Sequence, residues 1–206
     1  HRLKGCVYAD TAFDTLLVKG ISDSAFNTID CGAKRSMGDV LSIMGEKHGT
    51  DLASSLKLID KIVKKSLGTG GASFGTHKNY DAHKLLEEYP KTRASVEFIK
   101  GLKRPIGVPQ ACLIAGHYLC SEATSNREQP AAFFRTVCTG VGAEALAPAF
   151  QYRELIARRY AKGDRLGRYF IMSGMFKAWN LMREGKTVKQ LSFPCEGQPE
   201  KLPMPK

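Results

Sequence analysis

Eight basic residues between Arg153 and Arg183 carry the strongest chemical signal in this sequence. Arg153, Arg158, Arg159 and Lys162 lead into the turn Lys162-Gly163-Asp164, and Arg165, Arg168, Lys177 and Arg183 follow it. From Phe150 to Gln190 there are ten basic residues against three acidic ones, so this stretch supplies +7 of the net charge of +11. So concentrated a field attracts polyanions, whether DNA, RNA or an anionic membrane surface. Two helices joined by a tight, glycine-containing turn also have the outline of a helix-turn-helix DNA binder. Phosphate contact is therefore assigned to Arg153, Arg158, Arg159, Lys162, Arg165 and Arg168. Tyr152, Tyr160, Phe170, Phe176 and Trp179 recur at helical spacing and are assigned to packing.

Other constellations carry less chemistry. Cys112, His117 and Cys120 fall on one predicted helix, but their C-x4-H-x2-C spacing lacks the second ligand pair that zinc requires, so no metal site is assigned. The six cysteines are irregularly spaced, mostly among apolar neighbours, and read as free buried thiols in a reducing compartment. Gly68 to Asn79 is glycine-rich, yet it lacks the G-K-[ST] ending of a phosphate loop and reads as a surface loop. Asp30, Lys34 and Arg35 bring opposite charges around a glycine turn, which suits a structural ion-pair network as well as a site. No G-x-S-x-G, H-E-x-x-H or H-x-E with C-x-x-C occurs, so serine hydrolase, zinc protease and zinc deaminase chemistry have no support.

The elements that must position these residues are mostly helices. Leu52, Leu56, Ile59, Ile62 or Val63, and Leu67 mark an amphipathic helix over Thr50 to Leu67, stopped by Gly68. Shorter helices follow over Tyr80 to Glu88, over Thr92 to Lys100 with Thr92 as cap, and over Pro109 to Cys120. Asn126 opens a helix closed by Gly140, Pro148 starts one that runs to Ala161, and a last helix passes Tyr169 and Trp179 to Glu184. Before these, Arg2 to Ala9 reads as a helix end, Asp14 to Lys19 as a strand, and Ser22 or Asp23 as the cap of a short helix. Thr187 to Phe193 reads as a closing strand before a loose, Pro-rich tail. The chain opens on His1 without a signal-peptide pattern, and its apolar runs are far shorter than the ~20 residues a membrane-spanning helix requires.

From Phe26 to Lys47 the sequence FNTIDCGAKRSMGDVLSIMGEK resembles a family of phage and mobile-element proteins related to the ParB and sulfiredoxin fold. Pro130 to Gly140 (PAAFFRTVCTG) and Lys177 to Phe193 (KAWNLMREGKTVKQLSF) look like the helical C-terminal region of that family. The resemblance implies an α+β, predominantly α fold: residues 1–47 as the C-terminal portion of a ParB/sulfiredoxin-like α/β unit, 48–193 as a helical bundle with a basic C-terminal half, and 194–206 as the tail. It also implies that His1 and Arg2 end an H-R motif at a helix N-terminus and hold nucleotide phosphate, where exposed amides, the helix dipole and an arginine fork attract an anion. A nucleoside triphosphate is then the cofactor of the intact protein, although the upstream strands are missing here and sulfiredoxin's catalytic cysteine has no counterpart beside His1.

Three functions compete on these readings. The first is a DNA-binding protein of phage or plasmid type, cytoplasmic in a bacterial cell or phage-infected host, with DNA as partner, self-association left open and no membrane. The second is an enzyme, a nucleotide hydrolase or metal-dependent nuclease using Arg2 and Asp30, against which stands the lack of clustered carboxylates. The third is an interaction protein whose basic face docks on an acidic partner.

Overall fold

The computed structural model describes residues 7–12, 14, 19–20, 36–68, 81–188, 190–191 and 202–206. The chain divides into two compact units, residues 1–34 and 35–206. Of the first unit, Val7 and Tyr8 are helical, and Asp10 takes a left-handed φ of 45°. The second unit is a helical body. Its elements are α1 (Met37–Ile43), α2 (Gly49–Val63), α3 (Asp81–Glu88), α4 (Thr92–Lys100), α5 (Gln110–Glu122), α6 (Glu128–Thr139), a 3-10 turn (Glu144–Leu146), α7 (Ala147–Ala161) and α8 (Arg168–Arg183).

No described residue lies in a strand, which overturns the expected α/β unit. Met37 to Ile43, assigned to that unit, is instead a helix that packs on α2. The reason is visible in its spacing: Met37, Val40 and Leu41 form one apolar helical face, each at most 6% exposed. Ser36 and Asp39 close a capping box at its start, with the Asp39 amide donating to Ser36 Oγ at 3.2 Å and the Ser36 amide to Asp39 Oδ2 at 2.9 Å. Gly38 and Gly49 let the two helices touch, since a Cβ on Gly49 would stand 2.5 Å from the Gly38 carbonyl oxygen. The closing strand is also corrected: Thr187, Val188, Gln190 and Leu191 are irregular, and the Val188 carbonyl accepts a hydrogen bond from the Gln151 side chain. Of the expected strand from Asp14 to Lys19, residues 15–18 lie outside the described residues, as does the short helix expected after Ser22.

α5 is the hub, packed against α2, α4, α6 and α8. Ala111 to Gly116 and Tyr118 to Cys120 are all buried, as befits a helix apolar on every side. Gly116 sits where α5 meets α6 and α8, because a Cβ there would fall 2.2 Å from Met175 Sδ and 3.0 Å from Phe134 Cζ. α8 is buried almost as completely, with Met172, Met175, Phe176 and Trp179 fully inside. At residues 202–206, expected to belong to a loose tail, the chain docks on α8. Asn180 donates to the Met204 carbonyl at 2.9 Å and accepts the Lys206 amide at 2.9 Å, while Trp179 Nε1 donates to the Lys206 carbonyl at 3.1 Å.

Candidate functional site

The basic stretch folds as expected into two helices, α7 and α8, joined by a turn. The turn is a Schellman stop: Gly163 takes φ 85°, its amide bonds the Tyr160 carbonyl at 3.0 Å, and the Asp164 amide bonds the Arg159 carbonyl at 3.1 Å. The six predicted phosphate ligands do not share one fate. Arg153 is partly buried and donates from Nη1 to the Val137 and Cys138 carbonyls at 3.0 and 2.7 Å, so it closes the C-terminal end of α6. Arg159 pairs with Asp164 at 3.0 Å and lies over the Phe170 ring. Arg168 is partly buried beside Cys112, and burial pulls its guanidinium below the usual range.

Arg158, Lys162 and Arg165 are exposed, and none has an acidic partner among the described residues. Two further cations join their end of the molecule from a segment that sequence reading passed over. In the link between α4 and α5, Lys103 and Arg104 are exposed and likewise have no acidic partner among the described residues. The link is held there by a turn from Pro105 to Val108, in which Gly107 adopts φ 79°. Gly107 packs directly on α7: a Cβ on it would stand 3.0 Å from Ile156 Cγ2 and 3.2 Å from Tyr160 Cβ. The Pro-x-Gly pattern was a legible turn signal, but which helix it leans on was not. The N-termini of α5 and α8 also belong to this end, since Arg168 neighbours Cys112, and neither has a side-chain cap.

The aromatics assigned to packing divide as well. Tyr152, Phe176 and Trp179 are fully buried and Phe170 partly so, whereas Tyr160 is 58% exposed and Ile106, at the Pro105–Val108 turn, 67%. Helical spacing alone hid this, because Tyr160 occupies the last turn of α7, where the neighbouring helices no longer cover it.

Cys112, His117 and Cys120 do not converge on a ligand. His117 Nδ1 lies 2.9 Å from Ser95 Oγ, and its ring stacks on Phe98 at 4.5 Å. Burial holds the imidazole neutral, down to about 4. Burial also pushes the Cys112 thiol up to about 12 and that of Cys120 well above its ordinary value, which leaves both as thiols. Among the described residues, no three His, Cys, Asp or Glu side chains are grouped to hold a metal ion, and no helix is long and apolar enough to cross a membrane. His1, Arg2, Asp30, Lys34, Arg35 and most of the glycine-rich loop lie outside the described residues. Compared with known proteins, the chain matches no family model, no curated protein and no solved structure.

Proposed function

We propose that this protein binds DNA through its phosphates, using the basic end formed by the α7–α8 turn and the α4–α5 link. The observation that carries this reading is the division of labour among the cations. Arg153, Arg159 and Arg183 are spent on contacts within the fold, while Lys103, Arg104, Arg158, Lys162 and Arg165 are exposed with no acidic partner among the described residues. Like charges gathered without counterions oppose folding, so their retention fits an external anion. Groove reading by α8 fits poorly, because Ile171, Met172, Gly174, Met175, Phe176, Ala178 and Trp179 are buried and the other residues before Arg183 are only partly exposed. Backbone contact without base readout is therefore the mode this surface suits.

The test is a salt series of binding to random-sequence DNA by fluorescence anisotropy. With four or five phosphates neutralised, affinity should fall with a log–log slope near about −4, or roughly 10²- to 10³-fold between 50 and 200 mM salt. Lys162→Ala combined with Arg165→Ala should make the slope shallower by about 2. No binding at low salt, or binding indifferent to the double substitution, overturns the reading and turns attention to an acidic protein partner.

A further inference from the structure

Resting on the phosphate-binding reading above, we infer that the ligand of the basic end is a single-stranded polynucleotide, one of whose bases stacks on Tyr160. Three observations lead there. A duplex reader needs an element that can enter a groove, about 12 Å wide at its larger. Of the two helices, α8 is buried through its middle and only partly exposed elsewhere before Arg183, and α7 presents its exposed face through Phe150, Glu154, Arg158 and Ala161, of which only Arg158 is a cation. What the basic end does present is an exposed aromatic ring, Tyr160, in the last turn of α7, with Lys162 and Arg165 following it in the chain.

Tyr160 is more than half exposed, yet its position is fixed. Its Cβ and ring edge rest against Gly107, where an added Cβ would meet Tyr160 Cβ at 3.2 Å and Cδ2 at 3.4 Å. The ring thus rests along one edge on the Gly107 backbone while more than half of the residue is exposed. Ile106, next to that contact, extends the apolar surface. Lys103 and Arg104 stand a few residues before Gly107 on the same link, and Lys162 and Arg165 follow Tyr160 on the turn that ends its helix.

An anchored ring with an apolar neighbour and cations on the segments to either side matches what single-strand binders require. Every base has a π face, so stacking accepts any sequence, while the cations follow the phosphates on either side of the stacked nucleotide. A duplex keeps its bases stacked on one another and offers only its charge to the same surface.

The experiment compares oligothymidylate, oligouridylate and a DNA duplex of equal length by anisotropy at one salt concentration. Both Tyr160→Ala and Tyr160→Phe are assayed, after a thermal melt has confirmed that each folds. At least one single strand should bind more tightly than the duplex, and the tighter of the two identifies the sugar. Tyr160→Ala should weaken single-strand binding by roughly 5- to 100-fold, leave duplex binding within about 2-fold, and be rescued by Tyr160→Phe, which keeps the ring. Equal affinity for single strand and duplex, or equal losses on both in Tyr160→Ala, overturns the single-strand inference and leaves the phosphate reading standing. Failure of all three nucleic acids to bind at low salt removes the phosphate reading itself.

Discussion

His117 shows how the helical body disposes of a group that looked chemical in the sequence. Its ring lies between Phe98 at 4.5 Å and Phe134 at 5.4 Å, and Ser95 supplies its one polar contact in the described structure. Burial holds its pKa near 4, below the ordinary value of 6.5. The unfolded chain therefore takes up a proton that the folded chain refuses. Stability is intact above pH 6.5 and declines as pH falls from there toward 4. Over that window the loss amounts to on the order of 3 kcal/mol. Urea melts at pH 7 and pH 4.5 should show this decline in the wild type and a smaller one in His117→Phe, the carboxylates contributing equally to both. Equal declines would mean that the imidazole is hydrated and titrates normally. The residue type and its neighbours were readable in the sequence, but the choice between ligand and core was not, because Ser95 and Phe98 come from another helix.

At the scale of elements, the helices were largely legible because their punctuation is local. Asn126 accepts the Glu128 amide at 3.1 Å, Pro148 sits in the first turn of α7, and Gly163 and Gly185 take the left-handed stops after α7 and α8. Two signals misled. Thr92 does not cap α4, since it lies inside the helix with its hydroxyl buried and unpaired. α2 ends at Val63, before the expected Gly68, and Lys65 accepts the left-handed stop at φ 54°. Arg153 illustrates a contact between elements that sequence spacing could not distinguish from a ligand. Its removal leaves two α6 carbonyls unpaired, so Arg153→Ala should cost about 2 kcal/mol and lower the melting temperature by roughly 4 to 8 °C. Arg158→Ala, exposed on the same helix, should change stability by less than about 0.5 kcal/mol. Calorimetry on the two variants checks the contrast, and equal melting temperatures would return Arg153 to the surface.

For the molecule as a whole, a central α5 wrapped by four helices makes one cooperative core for the unit from residue 35 onward. Native-state hydrogen exchange should find the slowest amides in α5 and α8, opening only with global unfolding, and faster ones in α3. Protection in α5 no greater than in α3 would show that the body opens in pieces. The sequence by itself determined that this unit is helical, where most of its helices start and stop, and that positive charge accumulates after Phe150. Those properties are local: caps, glycine stops and a 3.6-residue apolar period act within a few turns of chain. Only the tertiary structure decided that Met37 to Ile43 is a helix of the body, that Arg153 is internal while Arg165 is exposed, and that Lys103 and Arg104 lie on a link that packs against the end of α7. These outcomes depend on which surfaces meet, across 15 and 16 residues of chain at Arg153 and about fifty at the contact of Gly107 with α7. There the packing of Gly107 on Ile156, or of Gly116 on Met175, selects the partner, and no local spacing encodes it.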